Sequence, residues 1–350
     1  MAATDTVSSV EGLRMRQILV MVLCVVAVAL PVAAQPRKPQ VAVKTLNGLA
    51  LSVSDLQRSV EFYQSLFGMR NYGPEGAPPR LEIGSGPWFI TLRQSAPGLD
   101  YITLGVEGFD ADNVMKTLAL HGVSRSATPS AAPMTAWIVK RGDTPELFLN
   151  DPSGLKIQLQ DVSYCGGSGP RGDKCPRPVM IRSGNAATRV HTFNHFAVSV
   201  SDTERSRLFF QEVLGMNGST IGPGPQWMAI LKSRDGKTGI DHFCMGMENF
   251  HPDGTIRRFV EFGLTLQEGD PDPKDSVTSV YGLAGALRAR RFKQNRSAPG
   301  KEVPFEIFVT DPDRFTIQVN DVSYCPANWG WLGDGCNPRI TLDKTRISRR

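Results

Sequence analysis

Imidazoles at His191, His195, His242 and His251 and carboxylates at Glu248 and Glu306 are the groups in this 350-residue chain that could ligate a metal or move a proton. Imidazole suits iron, zinc, nickel and manganese when three or more ligands converge from separate strands. No Ser-His-Asp or Cys-His arrangement is supported. "GPGP" at 222–225 and "GSGP" at 84–87 lack the strand, Gly-rich loop and helix of a phosphate cradle. "RGD", at 141–143 and again at 171–173, is what a polar turn contains. The net charge of +5 is a mild bias, with no basic stripe interleaved with aromatics, and the tail "DKTRISRR" reads as a solvated end. Nucleic acid is therefore not an expected partner.

The chain opens with a segment that belongs to no fold. Arg14 and Arg16 precede an apolar run from Ile18 to Val32, and Val32-Ala33-Ala34 stands before Gln35, the layout of a secretory signal over 1–34. The run is shorter than the roughly 20 residues a bilayer span needs. The expected product is exported, periplasmic or secreted, with no membrane span after cleavage; an uncleaved N-terminal anchor is the alternative. Beyond the signal, "CGGSGPRGDKC" and "CPANWGWLGDGC" form two local cysteine pairs. In an oxidising compartment, disulfides Cys165–Cys175 and Cys325–Cys336 are the economical pairing. A short-loop zinc site is the rival, although each pair is only half a site. Cys244 is left over and reads as a small buried hydrophobe.

The elements that must position these groups are legible because the chain repeats itself. "DVSYC" stands at 161–165 and again at 321–325. "LNGLALSVSDLQRSVEFYQSLFGM" at 46–69 aligns without a gap on "FNHFAVSVSDTERSRLFFQEVLGM" at 193–216. Both read as an alternating strand, an Asp at a helix start, and an amphipathic helix closed by Gly68 or Gly215. "GLDYITLGVEGFDADNVMKTLALHGV" from 98 matches "GIDHFCMGMENFHPDGTIRRFVEFGL" from 239, a second strand and helix. "ELFLNDPSGLKIQLQDVSYC" from 146 matches "EIFVTDPDRFTIQVNDVSYC" from 306, a β-hairpin with a Pro-containing turn. The offset between the halves rises from 141 to 160, placing a 19-residue insertion within about 264–300. There "YGLAGALRARRFKQNR" has a helix-like apolar face and clusters Arg288, Arg290 and Arg291, either as a lid over the second half or as a solvated helix face.

Four such modules in register resemble the vicinal oxygen chelate superfamily of glyoxalases, bleomycin-resistance proteins and extradiol dioxygenases. The resemblance covers about 45–165 and 190–325, carried by "SVSD", "FYQSLFG" or "FFQEVLG", and the "DPSG" or "DPDR" hairpins. It implies an α+β fold of four βαβββ modules, paired into two open cup-shaped mixed sheets. The expected organisation is signal 1–34, linker 35–44, a metal-free first domain 45–175, linker 176–189, a second domain 190–336 with the metal site, and a basic tail 337–350. By the same resemblance His195, His242 and Gln318 occupy the metal-ligand positions, Gln318 standing where Glu is usual. The equivalent positions of the first half hold Gly48, Tyr101 and Gln158.

The implied cofactor is a divalent metal, Fe2+ favoured over Mn2+, Zn2+ or Ni2+. The implied activity is that of a metal-dependent dioxygenase or lyase on a small substrate chelated through vicinal oxygens. One alternative is a sequestration protein of the bleomycin-resistance type, with apolar cups lined by Tyr101, Phe243 or Trp227. Another is an interaction module presenting Trp329 and Trp331. Two departures matter: Gln318 lacks a carboxylate's charge, and Arg314 replaces the usual turn Gly. Glu248 has a counterpart in Glu107 and Glu306 in Glu146, which favours scaffold roles. His191 reads as a rim residue, a candidate hydrogen-bond partner behind a metal ligand or an acid–base group, and His251 as an exposed loop residue. Four modules can complete two cups in one chain, so a monomer or a homodimer suffices.

Overall fold

The computed structural model describes residues 38–73, 77–175, 186–216, 221–222, 226–267, 285–291 and 305–322. The expected signal 1–34, the pair Cys325 and Cys336, the tryptophans Trp329 and Trp331 and the basic tail lie outside the described residues. The first half runs β1 (Val43–Val53), α1 (Leu56–Phe67), β2 (Arg70–Asn71), β3 (Arg80–Glu82), β4 (Phe89–Gln94), β5 (Gly98–Val106), α2 (Ala111–Leu120), β6 (Ser124–Arg125), β7 (Thr135–Arg141), β8 (Thr144–Asn150) and β9 (Lys156–Asp161). The second runs β10 (Thr192–Val200), α3 (Thr203–Glu212), β11 (Trp227–Lys232), β12 (Gly239–Met247), α4 (Pro252–Glu261), β13 (Thr265–Leu266), β14 (Ala286–Arg291), β15 (Phe305–Thr310) and β16 (Thr316–Asp321). The class is α+β, and each half makes one mixed sheet. The orders are β2-β3-β4-β1-β5-β9-β8-β7-β6 and β11-β10-β12-β16-β15-β14-β13.

Period-two alternation decides which face of each sheet is dry. In β16, Ile317 and Val319 enter the core while Thr316, Gln318 and Asn320 line the opposite face; β9 repeats this with Ile157 and Leu159 against Gln158 and Gln160. The core side is one cluster spanning both halves, with Phe67 of α1 edge-on to Phe259 of α4 at 6.0 Å. Asp55 caps α1 by accepting from Arg58 N, and Asp202 caps α3 by accepting from Arg205 N.

Gly68 (φ 66°) and Gly215 (φ 67°) end these helices left-handed. A Cβ at Gly68 would lie 3.2 Å from Thr188 O, and one at Gly215 3.1 Å from Val41 O. The glycines thus let each half seat the segment leading into the other: Thr188 N donates to Leu66 O, and Val41 N to Val213 O.

The "DP" hairpins lock the halves reciprocally. Asp151 Oδ1 accepts from Ser153 N and Leu155 N, which shapes its own turn, and Oδ2 accepts from Ser206 of α3 at 2.5 Å. Asp311 does the same with Asp313 N and Phe315 N, and takes Tyr63 Oη of α1 at 2.9 Å. Gln226 ties the two lead strands, donating to Leu46 O and Phe193 O and accepting from Leu46 N.

One expectation is corrected. The stretch from Tyr281 read as helix-like, yet Ala286–Arg291 is strand β14, antiparallel to β15 and parallel to β13. Tertiary pairing at the sheet overrides a short apolar period. Register also splits the insertion. Arg288 pairs with Phe308 as Trp137 pairs with Phe148, an offset of 151 at this strand. Ten extra residues therefore precede β14 and nine lie in the β14–β15 connection, so β14 itself is sheet and not a lid.

Candidate functional site

The second sheet brings His195 and His242 together from adjacent strands, β10 and β12. Their Nε2 atoms stand 3.2 Å apart, with the ring planes at 88°. His195 is buried and stacks on Trp227 (centroids 3.9 Å, interplanar 18°), and the Phe308 ring meets His242 edge-on at 6.0 Å. Gln318 of β16 completes the row: by register His195 stands opposite Cys244, and Cys244 opposite Gln318. Gln318 hydrogen-bonds His195, while its own Nε2 is buried without a partner. Burial first, and the neighbouring His242 second, hold the His195 pKa well below its ordinary 6.5, against the Gln318 contact that raises it. A neutral ring keeps a lone pair for ligation.

β-Bulges aim these rings. The β10–β12 register slips between Phe193 and His195 and again between Ala197 and Val198, leaving Asn194 on β10 and Asp241 on β12 as the extra residues. A bulge relaxes strict alternation, so a neighbour in sequence can reach the next ring. Asn194 Oδ1 meets His195 Nδ1 at 2.8 Å, and Asp241 Oδ1 meets His242 Nδ1 at 2.7 Å. Both oxygens are acceptors and can each take an Nδ1 proton, the tautomer that leaves the Nε2 lone pair for ligation. In that tautomer two lone pairs at 3.2 Å repel unless a cation or proton sits between them. Two nitrogens bound at 2.0–2.1 Å to one metal, at right to tetrahedral angles, stand roughly 2.8–3.4 Å apart. The donor set fits a metal. Among the described residues no group of three or more His, Cys, Asp or Glu side chains converges, and the polar side chain beside the pair is the Gln318 amide.

The other sequence-derived candidates go elsewhere. His191 Nδ1 lies 3.5 Å from Glu248, and the repeat places the same ion pair in the first half as Lys44–Glu107 at 3.7 Å. That contact repeats a pair present in both halves; the acceptors at the two histidines are Asn194 and Asp241, which sequence reading missed. The only signal was an amide or carboxylate immediately before each His. His251 is exposed at the start of α4. Phe243 faces the core rather than the cup.

In the first half a Cβ on Gly48 would stand 1.9 Å from Phe89 O, so no ligating side chain fits there. Tyr101 is packed with Ala50, Trp137 and Phe148, and Gln158 accepts from Thr103 Oγ1. Cys165 and Cys175 are disulfide-bonded. Their loop folds onto this sheet: Tyr164 Oη donates to Glu146, Arg80 to Gly166 O, and Arg141 to Gly167 O. This is the physical role of the first "DVSYC".

No family model matches the chain. The lactoylglutathione lyase of Salmonella typhimurium is 30% identical over 136 residues, spanning 33% of this chain and 91% of the lyase. That of Shigella flexneri is 28% identical over 135 residues. A homoprotocatechuate 2,3-dioxygenase variant from B. fuscum superposes with a TM-score of 0.54 at 15% identity, covering 85% of this chain and 77% of that one. The Mn(II)-bound glyoxalase from Novosphingobium aromaticivorans gives 0.53 at 15% identity, covering 85% and 94%. The solved structures share the fold, and the lyases share sequence over almost their whole length. The chain belongs to the vicinal oxygen chelate superfamily.

Proposed function

We propose that the second half holds a divalent metal on His195 and His242 with Gln318, and that the protein is a metal-dependent enzyme acting on a small substrate through two adjacent oxygens. The observation that carries this is the 3.2 Å approach of two Nε2 atoms, that of buried His195 and that of half-buried His242, each ring held by an acceptor at its Nδ1. Kinship with lactoylglutathione lyases and the fold shared with a manganese-bound glyoxalase and a dioxygenase support it. Iron, manganese, nickel and zinc all accept such ligands, and ferrous iron is the first choice for the dioxygenase version. When bound, the metal supplies Lewis acidity that acidifies a chelated hydroxyl or stabilises an enediolate. Trp227 stacked on His195 and Phe308 edge-on to His242 restrain the two rings. A signal-like N-terminus and the Cys165–Cys175 disulfide support export, and no helix among the described residues is long and apolar enough to cross a membrane.

The buried, unpartnered Gln318 Nε2 favours a second reading, a binding protein whose cup hydrogen-bonds its ligand. Turnover separates the two. Protein loaded anaerobically with one metal at a time is assayed on catechols for ring cleavage and on thiohemiacetals for isomerisation. Turnover abolished by chelator and restored by metal supports the enzyme; binding of the same compounds without turnover under every metal supports the second reading.

A further inference from the structure

The two sheets differ along the cup face of one strand. In the first half β4 presents Phe89, Thr91 and Arg93 there, because Ile90 and Leu92 enter the core. At the mouth Arg93 stands 3.6 Å from Asp100 and 5.8 Å from the centre of the Tyr101 ring, and Lys156 lies 5.9 Å from the same ring. In the second half Trp227, Ala229 and Leu231 of β11 take those three positions, beside His195, Ala197 and Ser199, as Phe89, Thr91 and Arg93 stand beside Gly48, Ala50 and Ser52. Met228 and Ile230 turn to the core, so the three residues share the cup face.

The result is an apolar stripe that begins at the indole stacked on His195 and runs outward over roughly 13 Å at 3.3 Å per residue. Trp227 and Ala229 are half-buried and Leu231 is 38% exposed. A lone exposed leucine is ordinary; this one continues a line from the histidine pair. On the other side of the pair, Thr316 Oγ1 and Gln318 Nε2 of β16 are buried without hydrogen-bond partners. The site is thus apolar on its β11 side and hydrogen-bonding on its β16 side.

We infer that Trp227, Ala229 and Leu231 determine specificity by seating a hydrocarbon group, aromatic or aliphatic, carried beside the two chelating oxygens of the substrate. This rests on the metal reading above and names the part of the substrate which that reading leaves open. Oxygens held over the histidines and β16 leave the rest of a small substrate to cross β11, the edge strand of the sheet. Water released from the stripe and from the hydrocarbon favours the contact, and Ala229, the smallest of the three side chains, leaves room for its bulk. The first half, with Arg93 and Lys156 over Tyr101 at the equivalent mouth, presents a charged surface instead.

The test is binding of catechol and of 4-tert-butylcatechol to zinc-loaded protein, titrated calorimetrically, so that no turnover is needed. Wild type is expected to bind 4-tert-butylcatechol about tenfold or more tightly than catechol. That ratio is expected to fall below about threefold in Leu231→Ser. The same fall is expected when Ala229→Thr and Leu231→Arg are combined, which installs the residues that the first sheet carries at the same register. Zinc content and Tm are expected to stay at wild-type values, since neither variant changes a ligand. A wild-type ratio near one, or a ratio that both variants leave unchanged, overturns this inference alone. Protein that takes up no zinc, that binds neither catechol when loaded, or that binds both equally well without zinc overturns the metal reading and this inference with it.

Discussion

Replacing Asp311 by Asn is expected to stabilise the protein at alkaline pH and to leave it unchanged in acid. Burial raises the Asp311 pKa from 3.8 to about 7, against hydrogen bonds from Phe315 N, Tyr63 and Asp313 N that favour the charged form; the nearby Asp313 carboxylate adds to the rise. The folded state therefore holds a proton that the unfolded chain releases between pH 3.8 and about 7, and stability falls as pH rises through that window. Each unit is worth about 1.4 kcal/mol, so the loss approaches ~4 kcal/mol by pH 8. Asn mimics the protonated acid, its oxygen accepting from Asp313 N and Phe315 N and its NH2 donating to Tyr63 Oη. Urea unfolding of both proteins from pH 4 to pH 8 isolates this group, because all others cancel in the difference. The difference should be near zero at pH 4 and about 2–4 kcal/mol in favour of Asp311→Asn at pH 8. A difference that does not change with pH, or a variant weaker at pH 8, would refute the account of the inter-half lock.

Arg314 adopts φ 72° where its counterpart Gly154 has φ 86°, so Arg314→Gly should raise stability by about 1 kcal/mol, read as a rise in Tm. Gly48→Ala puts a Cβ 1.9 Å from Phe89 O; a loss above about 3 kcal/mol, or failure to fold, is expected from expression and urea titration. Reducing Cys165–Cys175 opens a loop spanning ten residues and should cost roughly 2–3 kcal/mol, measured by melts with and without reductant.

The fold was legible because duplication displays each element twice, and period-two strands with Asp-capped, Gly-ended helices carry their own punctuation. The histidine pair was legible from the same duplication, since Gly48 and Tyr101 stand where His195 and His242 do. Asn194 and Asp241 were not, because strict alternation points a strand neighbour to the opposite face, and only the bulges bring it round. Arg-rich β14 was misread because six residues of strand cannot be told from helix without their partner. The reciprocal Asp151 and Asp311 locks were hidden in a motif that reads locally as a turn, and half of each lock lies in the other half of the chain.

The most direct test of the central claim is elemental analysis of untagged protein purified without chelator, beside His195→Ala and His242→Ala. Near one equivalent of a single divalent metal in wild type, lost in both variants, is the predicted result. Wild-type protein that holds no metal even after anaerobic incubation with iron, manganese, zinc or nickel would contradict it.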